Sequence, residues 1–325
     1  MSTTAQEQTQ TQSHGLELVG DIGATNARFQ LVASGQWAGE AVVLPTQDFT
    51  AAEALLSQAM ARLGQPDLVG CVLAVAGPVS ADGERIEVIN TGLGFNKDSA
   101  KAALGVAPLF VNDFYAQAMS IPHLQNVRQV GGESDVQGVR GILGPGSGLG
   151  MATLVPDQAR WRVLPSEGGH ADLAPGSFLE AELWSMLAQD HSHVCWETVL
   201  SGPGLVNLYR AMSGIWGSVP ELDTPEAIVT QGLAADPLCH QTLETFAGLL
   251  GGAAGNLALM VGAQGGVYIS GGIVPALAEL LVSSPMRRRF DERGDLSDYA
   301  KAIPLYLVLD EQPGLLGARA LLGSS

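Results

Sequence analysis

Short apolar runs separated by clusters of glycine and polar residues set the rhythm of this chain. Leu16 to Val19 is a strand-like run that leads into Gly20-Asp21-Ile22-Gly23-Ala24-Thr25-Asn26, and Ala27 to Val32 leads out of it. That pattern predicts strand, tight glycine turn, strand. It returns further on. Gly141 to Leu143 enters Gly144-Pro145-Gly146-Ser147-Gly148-Leu149-Gly150, and Met151 to Val155 leaves as a strand, with Ser147 standing where Thr25 stood. Between the two, Val42 to Leu44 predicts a third strand. Thr50 to Leu63 predicts a helix with Leu55, Leu56, Ala59 and Leu63 on one face. Leu68 to Ala76 is continuously apolar, as buried parallel strands are, and stops at Gly77-Pro78. Ile86 to Ile89 predicts a strand ending at Asn90-Thr91, Asp98 to Leu104 a helix, Leu109 to Val111 a strand ending at Asn112-Asp113, and Phe114 to Ile121 a helix.

A loop from Pro122 to Val139 follows, and the domain change is expected near Pro122. Past the second hairpin, Trp161 to Leu164 reads as a strand, with helices over Phe178 to Ala188 and Leu205 to Met212. The stretch from Pro220 to Asp236 reads as short helices and loops. Phe246 to Ala263 carries no charge. Its glycines, its Asn256 and its lack of basic flanks argue against a membrane span. It reads as a buried helix packed on a sheet through Gly251, Gly252, Ala253, Ala254 and Gly255. Val267 to Ser270 is a strand running into Gly271-Gly272, then a helix to about Leu281; Leu305 to Leu309 and Gly314 to Leu322 are a last strand and helix. The layout is strand–turn–strand followed by β/α units, made twice. In open α/β sheets ligands gather at the carboxyl ends of strands, where Gly77-Pro78, Asn90-Thr91 and Asn112-Asp113 stand.

Composition narrows the partners. The 325 residues are 46% hydrophobic, enough for two cores, and the formal net charge of −17 repels nucleic acid and anionic membrane. The three cysteines, Cys71, Cys195 and Cys239, are odd in number and far apart, which suggests neither a disulfide framework nor a zinc knuckle and fits a reducing cytoplasm. The polar, Gln- and Thr-rich start lacks the basic and apolar segments of a signal peptide and reads as a disordered extension over residues 1–15.

The glycine turns carry the candidate chemistry. Without a Cβ at Gly23 a ligand can approach the backbone, and turn N–H groups, the Thr25 hydroxyl and the Asn26 amide can hold phosphate oxygens. Asp21, at a strand end, is placed to hold Mg2+ directly or through water. Two such hairpins could grip one polyphosphate from opposite sides; an ordinary β-hairpin is the plainer reading of each. Neither turn is a P-loop, since Lys97, Lys101 and Lys301 all lie elsewhere, and Met151 stands where a Rossmann fingerprint needs its third glycine. Gly271 and Gly272, at a strand–helix junction, admit a flat ring or a phosphate against the backbone.

Several stretches, in order, resemble the bacterial ATP-dependent glucokinase family of the hexokinase–actin–Hsp70 superfamily. They are Val-Gly-Asp-Ile-Gly-Ala-Thr-Asn-Ala-Arg at 19–28, Val-Asn-Asp-Phe at 111–114, Gly-Pro-Gly-Ser-Gly-Leu-Gly at 144–150, Glu-Gly-Gly-His at 167–170, Val-Leu-Ser-Gly-Pro-Gly-Leu at 199–205 and Ser-Gly-Gly-Ile-Val-Pro at 270–275. The resemblance implies a two-domain α/β, actin-like ATPase (ribonuclease H-like) fold with an interdomain cleft. It implies a small domain over 16–122 plus 306–325, with the last strand and helix returning to it, and a large domain over 123–305. The implied activity is transfer of the γ-phosphate of ATP to the 6-hydroxyl of glucose, giving the glucose 6-phosphate with which glycolysis begins, in a cytoplasmic homodimer.

By the same resemblance Asp113 is the catalytic base, and Asn112, Asp113, Glu167, His170 and Glu197 bind glucose. Gly20, Asp21, Ile22, Gly23, Ala24, Thr25, Asn26, Gly146, Ser147, Gly271 and Gly272 bind ATP, and Asp21 organises Mg2+. Plainer roles exist for each: a helix N-cap for Asp113, loop charges for Glu167 and Glu197, a backbone-bonded loop histidine for His170, helix–sheet packing for Gly271 and Gly272. His191 and His193 read as surface residues. Two features set the chain apart from relatives. The Cys-rich zinc motif of ROK kinases and repressors is absent, and Leu93 stands where many relatives carry Trp three residues after the strand-end Asn90, which leaves sugar selectivity open. A broader hexose kinase, a non-catalytic sugar-sensing regulator and an actin- or Hsp70-like ATPase are the alternative readings. A DNA-binding regulator would need a helix-turn-helix segment and a basic face.

Overall fold

The computed structural model of the chain describes residues 15–89, 91–133 and 137–322. Residues 1–14 of the extension expected over 1–15, and Asn90, expected at a strand end, lie outside the described residues. The chain forms two compact units, one of residues up to Asp113 together with those from Ala318, the other of Phe114–Gly317.

In the first unit, β1 (Leu16–Ile22), β2 (Asn26–Ala33) and β3 (Gln36–Pro45) form an antiparallel meander, followed by α1 (Ala52–Arg62) and β4 (Leu68–Val75). A small ribbon, β5 (Arg85–Glu87) with β6 (Gly94–Asn96), precedes α2 (Lys97–Leu104) and β7 (Leu109–Asn112). The main sheet has the order β3-β2-β1-β4-β7, with β4 parallel to β1 and to β7. Local chemistry fixes the ends. Asn96 caps α2 by accepting from the Asp98 and Ser99 N–H groups, and Gly105, at φ 78, closes it in the left-handed conformation open to glycine. Leu55, Leu56 and Ala59 of α1 pack with Phe29, Leu73 and Phe110 in one core.

The second unit repeats the plan. α3 (Asp113–Ser120) and a short edge strand, β8 (Val127–Gln129), precede the meander β9 (Arg140–Pro145), β10 (Leu149–Asp157) and β11 (Arg160–Ser166). Then come α4 (Phe178–Asp190), α5 (Gly202–Ile215), α6 (Pro225–Leu233), α7 (Pro237–Val261), β12 (Val267–Ile269), α8 (Val274–Ser283), α9 (Met286–Asp291), α10 (Ser297–Ala302), β13 (Leu305–Val308) and α11 (Pro313–Leu322). The sheet order is β11-β10-β9-β12-β13-β8, the first five matching β3-β2-β1-β4-β7 position for position, again with parallel pairing at the last two steps.

That equivalence explains a difference from the sequence reading at the domain boundary. The last strand, β13, is the fifth strand of the second sheet and is bonded to β12 and β8, so it stays with the second unit instead of returning to the first. The loop expected over Pro122 to Val139 contains β8, which only three residues of antiparallel pairing define. α7 is apolar and long enough to cross a membrane, but two-thirds (67%) of its apolar window is buried in the protein. Its glycines meet other elements than the expected sheet: a Cβ on Gly251 would overlap the Met286 backbone of α9, and one on Gly255 the Arg293 guanidinium. Arg293 Nη2 donates to the Gly252 carbonyl at 2.9 Å.

Candidate active site

In the first unit the carboxyl ends of three parallel strands lie side by side. Ile22 of β1 is in register with Val75 of β4, and Val75 with Asn112 of β7. The turn between β1 and β2 is three residues, Gly23 to Thr25, closed by a Gly23 N–H bond to the Asn26 carbonyl at 3.0 Å. Thr46, 1% exposed, pins it from behind: its hydroxyl donates to the Gly23 carbonyl at 2.8 Å and its N–H to the Thr25 carbonyl at 2.9 Å. Asp21 pairs across the hairpin with Arg28. Burial pushes the Asp21 carboxyl up to about 6, against a smaller pull downward from Arg28. At the end of β7, Asn112 Nδ2 donates to the Gly77 carbonyl at 3.1 Å, and Asp113, half-buried, opens α3.

In the second unit the turn between β9 and β10 is also three residues, Gly146 to Gly148. Gly146 N–H donates to the Gly148 carbonyl, and Gly202 N–H to the Gly146 carbonyl, each at 2.8 Å. Leu149 N–H donates to Glu197 Oε2 at 2.7 Å. The other oxygen, Glu197 Oε1, is 3.9 Å from His170 Nε2. Ser201 holds this arrangement: its Oγ donates to the Glu197 carbonyl at 3.0 Å and accepts from Gly204 N–H at 2.9 Å, capping α5. His193 is at the surface, as expected; its Nε2 lies 2.9 Å from the His170 carbonyl and its Nδ1 3.4 Å from Asp172 Oδ1, so it also braces the His170 turn. Glu167 and His170 flank that turn and are exposed, as are Gly146, Ser147 and Gly272. Gly271, at φ +106, follows β12 beside the second hairpin, where a Cβ would overlap the Pro145 carbonyl.

The expected site residues thus fall into two sets. Gly20 to Asn26 with Asn112 and Asp113 gather at one sheet end of the first unit. Gly146, Ser147, His170, Glu197, Gly271 and Gly272 gather at the equivalent end of the second, with Glu167 at the head of the His170 turn. Thr46, Ser201 and His193 were missed as supports. Ser201 had a legible signal, an N-cap serine before Gly-Pro-Gly. Thr46 and His193 act through contacts distant in sequence and carried none.

The family model described as Glucokinase matches residues 18–325. A glucokinase of Nitrobacter hamburgensis is 41% identical over 309 residues, covering 93% of this chain and 95% of that protein. The crystal structure of a glucokinase from an Antarctic psychrotroph superposes with a TM-score of 0.82 at 34% identity, covering 96% of this chain and 99% of that one. The chain belongs to the glucokinase family. A glucokinase of Balamuthia mandrillaris, solved in complex with glucose, shares the fold at 20% identity and a TM-score of 0.79, covering 98% of this chain and 96% of that one.

Within this glucokinase-family chain the glycines of the two turns separate by physical cause. Packing requires Gly20, whose Cβ would press on Leu73 and Phe29; Gly144, against the Ser270 backbone; Gly148, against the Glu197 carboxylate; and Gly150, against the Phe114 ring. Gly23 and Gly146 are different. A Cβ would meet only the Asn26 carbonyl at 3.5 Å at the first and only the Gly148 carbonyl at 4.0 Å at the second, and neither has a positive φ. The fold alone leaves room for a side chain at both, so the space over each turn is open to a ligand. Leu93 is 2% exposed and packed in the first unit's core.

Proposed function

We propose that this chain transfers the γ-phosphoryl group of ATP to the 6-hydroxyl of glucose, giving glucose 6-phosphate and ADP. The observation that carries the reading is the junction at Glu197, where one carboxylate accepts from the Leu149 N–H that follows a glycine turn and faces His170 with its other oxygen. Side chains able to bond hydroxyls are thereby joined directly to an open glycine turn.

The proposed division of labour follows from donor and acceptor chemistry. Asn112, Glu167, His170 and Glu197 bond sugar hydroxyls. The backbone over Gly23 to Asn26, with Gly146 and Ser147, receives phosphate oxygens, and Gly271 with Gly272 lies against the adenosine. The Asp113 carboxylate accepts the proton of the 6-hydroxyl as that oxygen forms its bond to the γ-phosphorus and the bond to the β-phosphate oxygen breaks. Positioning and charge neutralisation dominate such a transfer, so a base of ordinary carboxylate strength suffices when the proton moves late. Mg2+, held near Asp21 directly or through water, would neutralise phosphate charge. Asp21 fits that role, because its ionised form is disfavoured by burial and only partly compensated by Arg28. The proposal extends to a cytoplasmic homodimer, the family's common assembly.

The test is ADP release from ATP-Mg with glucose, mannose, fructose or no sugar, for wild type and Asp113→Ala. Glucose-dependent release that collapses in the variant supports both the reaction and the base. Release that survives the substitution removes the base assignment. Glucose binding without sugar-dependent release favours a sensor, and release indifferent to sugar favours an ATPase.

A further inference from the structure

The second sheet has a face that the catalytic reading does not use. Val267, Ile269, Leu305 and Leu307 point into the large core, so the alternate residues Tyr268 and Tyr306 point the other way. They are in register on neighbouring parallel strands, and Gln129 of β8 is in register with Tyr306. The two rings stack with centroids 4.7 Å apart. Arg140 shares this face, two residues before Ile142, the partner of Tyr268, and its guanidinium lies 4.5 Å over the Trp161 ring. Further along the same face α3 covers the sheet, with Phe114 against Gly144 and Gly150 and Ser270 Oγ bonded to Gln117. Past the end of that cover, with Ile121 and Leu124 as a wall, a cavity of about 580 Å³ remains.

Arg140 makes this cavity more than a gap in the packing. Its Nε is buried and has no hydrogen-bond partner among the described residues. No ion pair to Arg140 occurs among them, and no carboxylate lines the cavity, in a chain whose net charge is −17. A guanidinium stacked on an indole keeps its edge for in-plane donation, the geometry that suits a carboxylate or phosphate. An unmet buried donor is costly until an acceptor arrives. The stacked tyrosine rings form an apolar wall of the cavity, and its volume lies in the range of small-molecule sites.

We propose that this cavity binds a small organic anion, a phosphate or carboxylate carried on a ring-sized body, with the anion on Arg140 and the body on Tyr268 and Tyr306. The site is separate from the Gly146 turn. Arg140 and Pro145 are opposite ends of β9, roughly 17 Å apart at ~3.3 Å per residue. It does not rest on the assignment of the ATP-binding turns.

The experiment titrates the full chain with phenyl phosphate, benzoate and phenol, read by calorimetry and tryptophan fluorescence. Saturable binding of phenyl phosphate or benzoate is expected, with phenol at least tenfold weaker; which anion binds tighter tells phosphate from carboxylate. Arg140→Gln is expected to weaken the anion at least tenfold and Arg140→Lys to retain part of the affinity, with the KM for glucose and ATP unchanged in both. No saturable binding in wild type overturns the proposal. So does binding indifferent to Arg140→Gln, which would put the probe elsewhere. If wild type binds no anion and Trp161→Ala splits an oligomer, a second copy covers this face and the proposal also falls.

Discussion

The Leu149 N–H and the Glu197 carboxylate are bonded at 2.7 Å, and this contact ties a glycine turn to the residues proposed to hold glucose. Glu197→Ala removes the acceptor from a half-buried N–H and from the neighbour of His170 at once. Losing such a partner costs about 1–3 kcal/mol, which corresponds to roughly a five- to 150-fold fall in kcat/KM. The expected signature is a rise in the KM of both glucose and ATP, with Glu197→Gln intermediate because its amide oxygen can still accept from Leu149. A rise confined to glucose would show that the contact does not couple the two.

Gly146 and Gly148 share one turn but should answer differently to alanine. At Gly146 the nearest atom to an added Cβ is 4.0 Å away, so Gly146→Ala should leave the melting temperature unchanged and raise the KM for ATP. At Gly148 the Cβ would overlap the Glu197 carboxylate, so Gly148→Ala should lower the melting temperature and impair glucose and ATP together. Equal behaviour of the two variants in thermal melts and kinetics would contradict this separation.

His193 supports His170 through the backbone carbonyl at 2.9 Å. His193→Ala should raise the KM for glucose several-fold with little change in kcat, since it loosens a binding residue and leaves Asp113 untouched. Steady-state kinetics would detect the alternative, a fall in kcat alone, which would place His193 in a different role.

Asp21 supplies a pH dependence. Its carboxyl is pushed up to about 6 in the folded chain from the ordinary aspartate value of 3.8, because burial disfavours the charge. The folded state therefore holds this proton more tightly than the unfolded state. The associated stability is fully present below the unfolded value and is lost as pH rises through about 6. Above that the ionised carboxylate costs the fold at most about 3 kcal/mol in the absence of a bound cation. Asp21→Asn, which cannot ionise, should melt progressively higher than wild type as pH rises from about 4 to about 7 in chelator-containing buffer. A difference in melting temperature that stays flat across this range would remove the buried-charge account.

The repeated strand–turn–strand unit, the parallel strands and the two glycine turns were legible in the sequence because each depends on neighbours a few residues apart. Short apolar runs bounded by glycine and polar clusters specify strands, and Gly20 to Asn26 and Gly144 to Gly150 specify turns, whatever surrounds them. The ordered motifs likewise carried the family. What the local pattern could not carry is anything settled by a partner far along the chain. β8 is three residues long and exists because β13 offers it an edge. β13 belongs to the second sheet because β12 lies beside it, and no feature of Leu305 to Leu309 itself announces that choice. Thr46 and His193 became supports only when folding brought them to Gly23 and His170. The glycines show the division most directly. Sequence alone presents Gly23, Gly146, Gly148 and Gly150 as one kind of residue. The tertiary structure separates those that packing forbids from bearing a side chain from those left open for a ligand, because only packed neighbours decide where a Cβ would collide.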